Sequence, residues 1–202
     1  MPETPAHPPH VYLASASPRR RELLGQLGVR FHVVSAEVDE SALPAETAGQ
    51  YVLRLAGAKA RAGWEHLAGH HRAPVLGADT TVMLDGRLLG KPGDAADAAR
   101  MLLQLSNRTH EVLTGIALCT GSVVHQRLSR SEVTFGEIDA KLAQRYWETG
   151  EPRGKAGGYA IQGLGACFVR HLSGSFSGVM GLPLYETACL LGEADVPVWV
   201  GP

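Results

Sequence analysis

The chain has 202 residues, of which 45% are hydrophobic and 19% charged, an ordinary globular composition long enough for one sizeable core or two closely joined lobes. Its 19 Lys and Arg against 20 Asp and Glu give a formal net charge of −1, so bulk charge recruits neither nucleic acid nor an anionic membrane, and any phosphate affinity has to be local. Three cysteines, Cys119, Cys167 and Cys189, with no CxxC spacing, argue against a disulfide framework or a zinc site and for a reducing compartment.

Residues 1–10 carry neither the basic n-region nor the apolar h-region of a signal peptide, and are expected to be a disordered leader on a cytoplasmic protein. Val11-Tyr-Leu-Ala14 is predicted to be a strand and Ser15-Ala-Ser17 a tight polar loop. Residues 18–27 follow as a helix, with Ser17 as N-cap, Pro18 at its first position and Gly28 as its stop. Arg19, Arg20 and Arg21 crowd the first turn, where the macrodipole makes positive charge unfavourable by about 0.3–1 kcal/mol each. Hydroxyls, free backbone N–H groups and arginines together make a phosphate cradle at a helix N-terminus. A basic surface turn accounts for Arg21 but not for the whole Ser-x-Ser-Pro-Arg-Arg cluster.

Residues 31–35 read as a second strand, followed by Glu37, Asp39 and Glu40 in a loop, an acidic group that solvated surface alone would explain. A helix is predicted over 47–67, with Val52, Leu55 and Ala56 on its buried face and Lys59 continuing the same stripe. Such a lysine either snorkels to solvent or meets an anion in a cleft. His70-His71 reads as solvated loop.

Pro74-Val75-Leu76 is predicted to be a short buried strand running into Gly77-Ala78, small residues that allow another group to approach the backbone, with Asp79 where the apolar run ends. Thr80 to Leu84, the turn Asp85-Gly86 and Arg87 to Gly90 form a hairpin whose return strand is expected to bring Lys91 back toward Asp79. A carboxylate and an ammonium so placed suit a divalent metal and a phosphate oxygen. A structural ion pair at a strand end explains the same residues.

Asp94 caps a predicted core helix with Ala98, Met101, Leu102 and Leu105 on one face. Strands over 109–119 and 123 to about 134 make an antiparallel ribbon, with His110-Glu111 as its polar start. A helix over 139–149 stops at Gly150, ahead of a Gly-rich loop holding Arg153 and Lys155. Gln162 follows, either a turn residue or an amide able to read the edge of uracil or thymine. Residues 167–172 are expected as a strand, 173–181 as a flexible loop, a helix opens at Pro183 with Leu184, Ala188 and Leu191 inward, and 193–202 form a tail.

Ser15-Ala-Ser-Pro-Arg-Arg20, Gly77-Ala-Asp-Thr80, Gly90-Lys-Pro92, Lys155-Ala-Gly-Gly-Tyr-Ala160, Ile161-Gln-Gly-Leu-Gly165 and Gly181-Leu-Pro183 stand in order over roughly residues 11–191. In them the chain resembles the Maf family of nucleoside triphosphate pyrophosphatases, and through Gln162 its dTTP/UTP branch. The resemblance implies a single α/β domain over 11–192, an elongated mixed β-sheet flanked by helices, with two lobes, a central cleft and a relation to the inosine triphosphatase architecture. It implies hydrolysis of the α–β phosphoanhydride with a divalent cation (Mg²⁺, Mn²⁺ or Co²⁺), and a homodimer. By motif position, Asp79 is the catalytic acceptor and a metal ligand, and Glu40 a metal or water partner. Arg19, Thr80 and Gln162 fall on base-specificity positions, and Ser15, Ser17, Arg20, Lys59 and Lys91 on phosphate positions, with Lys91 also stabilising charge in catalysis. Thr81, where an apolar residue is usual, and Gly178, where a larger polar one is expected, depart from the pattern and bear on substrate range. The 7-methyl-GTP branch and a non-catalytic nucleotide-binding regulator of cell division are the alternative readings.

Overall fold

The computed structural model describes residues 10–67 and 73–199. Strands β1 (Val11–Ala14), β2 (Phe31–Val33), β3 (Val75–Leu84), β4 (Arg87–Leu89), β5 (Thr109–Cys119), β6 (Val124–Phe135) and β7 (Val169–Ser173) form one mixed sheet in the order β2-β1-β3-β5-β6-β7, with β4 paired to β3 beside that path. Strand β1 runs parallel to β2 and β3, and every other pairing is antiparallel. Helices α1 (Pro18–Gln26), α2 (Ala48–His66), α3 (Ala95–Leu105), α4 (Ala140–Glu148), α5 (Phe176–Met180) and α6 (Leu184–Glu193) flank it, giving the mixed α/β architecture expected. Among the described residues no helix is long and apolar enough to cross a membrane.

Local chemistry sets the helix starts. Thr47 and Gln50 form a reciprocal capping box on α2, while Asp94 and Asp139 accept the first free amides of α3 and α4. Ser17 stands at the N-cap of α1 as expected, yet its hydroxyl makes no capping bond.

The approach of α2 to the sheet positions the site. A Cβ at Gly77 would lie 2.3 Å from the Ala56 carbonyl oxygen, and one at Gly115 would lie 2.5 Å from that of Val52. These glycines on β3 and β5 let the backbone of α2 rest directly on the sheet. The group expected to approach Gly77 is therefore this helix. Val52, Leu55, Ala56, Lys59, Ala60 and Gly63 form its buried face, so Lys59 points at the sheet and not at solvent.

Strand β3 was expected as two pieces with Asp79 at the end of the first. It is one strand of 10 residues with Asp79 in its middle, because β5 pairs with it continuously from Val75 to Met83. On its other edge, pairing with β1 stops at Gly77 and pairing with β4 starts at Val82. Residues 78–81 thus face an opening in the sheet. The Asp85-Gly86 turn has φ of 50° and 75°, the left-handed pair a two-residue hairpin requires.

Leu13, Leu23, Leu24, Leu76, Ile116, Leu118, Leu182 and Leu190 pack between α1, α6 and one face of the sheet. Tyr12, Ala14, Ala56, Ala60, Val75 and Ala117 pack under α2 on the other. At the far end, Phe135 joins Leu102, Leu105, Tyr146, Tyr159 and Phe168. Each fully buried Leu or Phe contributes about 1.5–3 kcal/mol.

Two further expectations change. The loop over 173–181 contains α5, capped by Ser175, whose hydroxyl accepts from the Gly178 amide. At Gly178 a Cβ would sit 3.0 Å from Ser175 Cβ and 3.1 Å from Ser129 Oγ, so this close contact replaces the larger residue expected. The stretch read as a tail from 193 is packed as far as Trp199: Val196 is buried in the core, and the Trp199 amide donates to the Leu27 carbonyl at 2.7 Å. The leader before residue 10 and His70-His71 lie outside the described residues.

Candidate active site

Successive residues of a strand point to opposite faces, so Asp79 and Thr80 line one cavity only where the sheet is open. The opening at residues 78–81 supplies that condition. A cleft of about 320 Å³ forms there, walled by the β1–α1 loop, the loop bearing Glu40, α2, the end of the hairpin, the Gly-rich segment after α4 and the end of α5.

Its floor is an ion cluster. Lys59 and Asp79 are 9% and 8% exposed, and Lys59 Nζ lies 2.7 Å from Asp79 Oδ1 and 2.6 Å from Glu40 Oε1. The lysine on the apolar stripe therefore meets an anion. Its hydrogen bond and charge hold the Glu40 carboxyl below the ordinary glutamate range. Lys91 does not return to Asp79 as expected; its Nζ faces Glu40 Oε2 at 3.4 Å, because the β3–β4 pairing ends at Val82–Leu89 and the chain then turns away through Pro92.

The wall from α1 is a relay of donors. Arg20 donates to the Gly181 carbonyl at 2.8 Å, to Ser15 Oγ at 3.4 Å and to Thr80 Oγ1 at 3.1 Å. Thr80 Oγ1 lies 2.9 Å from Thr114 Oγ1, and Thr114 donates its only proton to the Gly178 carbonyl at 2.7 Å. Thr80 must therefore give its own proton to Thr114 and, with Arg20 on one lone pair, keeps a single lone pair for anything else. Burial lowers the Arg20 pKa from its ordinary value, with the charge of Asp79 opposing that shift and Arg19 adding to it. Burial likewise lowers Arg19, against Glu151 and Tyr146.

The segment after α4 brings Lys155, Tyr159 and Gln162 to the cleft. Glu151, just behind, organises it. Its Oε1 accepts from Tyr146 Oη at 2.6 Å and from the Gly165 amide at 2.9 Å, and its Oε2 accepts from the Leu164 amide at 3.0 Å. Burial pushes the Glu151 carboxyl up, but these bonds outweigh it and leave it below the ordinary range. Lys155 Nζ donates to the Glu151 carbonyl, and burial, with Arg19 nearby, lowers its pKa.

Ser15, Ser17, Arg19, Arg20, Glu40, Lys59, Asp79, Thr80, Lys91 and Gln162 all line this one cleft. Thr81 instead is buried among the packed residues of the sheet. Sequence reasoning missed Lys155 and Tyr159 as lining residues, and Thr114 and Glu151 as their supports. The alternating glycines Gly163 and Gly165 were the available signal for Glu151: a Cβ at Gly163 would lie 2.1 Å from Glu151 Oε2. Arg153 stays outside, stacked at 5.3 Å over Trp147. Arg19, Arg20, Lys59, Lys91 and Lys155 set five cations against the two carboxylates Glu40 and Asp79, in a chain whose formal net charge is −1. Such a cleft attracts a polyanion. Asp79 and Glu40 are the carboxylates within it that can hold a cation; among the described residues no group of three or more His, Cys, Asp or Glu side chains gathers to hold one unaided.

The chain is 54% identical to the dTTP/UTP pyrophosphatase of Burkholderia thailandensis, over 97% of this chain and 99% of that protein. It is 53% identical to the protein of the same name from Saccharophagus degradans, over 94% and 90%. The solved structure of the Staphylococcus aureus Ham1 protein matches with a TM-score of 0.41 at 16% identity, covering 64% of this chain and 72% of that one. The family described as Maf-like protein matches residues 10–194. By that span and those identities, the chain is a member of the Maf-like protein family.

Proposed function

We propose that this chain is a nucleoside triphosphate pyrophosphatase that hydrolyses dTTP and UTP to the monophosphate and pyrophosphate. The observation that carries the reading is the cleft's composition, the Lys59–Asp79–Glu40 cluster with the four further cations Arg19, Arg20, Lys91 and Lys155 and with Gln162 in the same lining. The activity of relatives more than half identical over nearly the whole chain supports it.

Ser15, the uncapping Ser17 hydroxyl, Arg20 and Lys155 bind and orient the phosphates at the α1 N-terminus, and Lys59 and Lys91 neutralise charge that develops on the departing pyrophosphate. Asp79 accepts a proton from the attacking water as the α–β bond breaks, and the bridging oxygen leaves with pyrophosphate. Two carboxylates, Asp79 and Glu40, suit Mg²⁺, Mn²⁺ or Co²⁺, cations that complete their shells with water and substrate phosphates. Bound there, the cation supplies Lewis-acid neutralisation of the phosphate oxygens.

Gln162 reads the pyrimidine edge with its carbonyl and NH₂, while Thr80, its proton committed to Thr114, offers an acceptor alone. The test is kcat/KM for UTP, dTTP, CTP, GTP and 7-methyl-GTP with wild type and Gln162→Ala. Wild type prefers UTP and dTTP, and the variant loses about 5- to 150-fold on those two, the factor for about 1–3 kcal/mol of unmade hydrogen bonds, with little change on GTP. An equal fall on all five would reduce Gln162 to a structural residue.

A further inference from the structure

Gln162 is a short, exposed-facing side chain on an irregular segment, and such a segment reads a base only if its backbone is fixed. The fixing comes from behind, and from outside the cleft. On one side of Gln162 the Ala160 amide donates to Tyr146 Oη at 3.0 Å; on the other, the Leu164 and Gly165 amides donate to the two oxygens of Glu151. Tyr146 in turn donates to Glu151 Oε1, so both flanks of Gln162 hang from one carboxylate. The packing is close at both glycines of this segment. A Cβ at Gly163 would lie 2.1 Å from Glu151 Oε2, and one at Gly165 would lie 2.6 Å from Tyr146 Oη. Gly163 thus leaves room for the Glu151 carboxylate, and Gly165 for the Tyr146 hydroxyl and the Ala160 backbone.

We propose that Glu151 is a positioning residue for base selectivity: with Tyr146 it holds residues 160–165 so that the Gln162 amide meets the pyrimidine edge. This rests on the reading of Gln162 given above. A carboxylate accepting from backbone N–H groups makes charge-assisted bonds about twice as strong as neutral ones, and it has no donor of its own to mispair with them. Replacing it with glutamine keeps the shape but turns an NH₂ toward the Leu164 amide or toward the Gly165 amide and Tyr146, placing donor against donor. Glu151 touches no reacting atom. Its loss therefore loosens selection more than turnover.

The experiment compares wild type, Glu151→Gln, Tyr146→Phe, Gln162→Ala and the double variant Glu151→Gln/Gln162→Ala. It reads pyrophosphate release from UTP and GTP, melting temperature, and amide hydrogen exchange over 160–165. The UTP to GTP ratio of kcat/KM is expected to fall about 5- to 100-fold in Glu151→Gln, through KM for UTP more than through kcat, and less in Tyr146→Phe. Exchange over 160–165 rises in both, and the double variant is no less selective than Gln162→Ala alone, since both act through one contact. Selectivity lost in Gln162→Ala but kept in folded Glu151→Gln and Tyr146→Phe would overturn the positioning role and leave the base reading standing. Selectivity kept in Gln162→Ala would overturn the base reading itself and the positioning role with it. Should Glu151→Gln fail to fold, Tyr146→Phe decides on the same ratio.

Discussion

Lys59 and Asp79 meet 2.7 Å apart with side chains only about a tenth exposed, one delivered by a helix and the other by the middle of the strand beneath it. Removing one partner of such a pair leaves a buried charge uncompensated, at about 3–5 kcal/mol. Lys59→Met is therefore expected to lower unfolding free energy by a few kcal/mol and kcat/KM by about 100-fold or more. Adding Asp79→Asn to it relieves the repulsion between Asp79 and Glu40, so urea unfolding should show stability recovering while activity stays lost. A double variant no more stable than Lys59→Met would place the cost of Lys59→Met in packing.

His110 is expected to contribute to the loss of stability in acid. It is 2% exposed, its Nε2 lies 2.8 Å from Tyr159 Oη, and burial lowers its pKa from 6.5 to about 4. The unfolded chain takes up a proton below pH 6.5 while the folded one does not, so stability declines as pH falls from 6.5 to about 4 and levels below that. At about 1.4 kcal/mol per unit the window is worth about 3 kcal/mol. In urea titrations at pH 7 and 5, His110→Leu is expected to lose about 2 kcal/mol less than wild type across that interval. The same fall in both proteins would exclude His110 as its source.

Gly115→Ala tests the seating of α2. Its Cβ would stand 2.5 Å from the Val52 carbonyl oxygen, so the helix has to lift and take Lys59 with it. A loss of about 1–3 kcal/mol and a fall in kcat/KM are expected together. Gly192→Ala, with nothing within 4 Å, is the control expected to keep both.

Much of this was legible in the sequence because it is local. The Ser-x-Ser-Pro-Arg-Arg cluster marked the α1 N-terminus and Asp85-Gly86 the hairpin, while Lys59 on an apolar stripe left open whether it snorkels to solvent or meets an anion. The identity of that anion was not legible. Lys59 finds Asp79 because Gly77 and Gly115 let α2 down onto the sheet, a tertiary fact, whereas the hairpin alone pointed to Lys91. The opening beside residues 78–81 depends on where two separate pairings stop, which periodicity does not encode. Glu151, Thr114 and Tyr159 escaped because each acts through a partner distant in sequence. The loop over 173–181 looked flexible by its glycines and serines, yet Ser131 and Ser175 tie it to β6.

The proposed reaction is cleavage of the α–β bond of a pyrimidine triphosphate in this cleft, with Asp79 as proton acceptor. Phosphorus NMR of UTP turnover with Mg²⁺, by wild type and Asp79→Asn, tests it most directly. UMP and pyrophosphate are expected as the first products of wild type. For Asp79→Asn, folded and still able to bind UTP, the expected rate is lower by more than about 100-fold, or about 2.7 kcal/mol of barrier. UDP and orthophosphate as first products, or Asp79→Asn turning over within about tenfold of wild type, would contradict it.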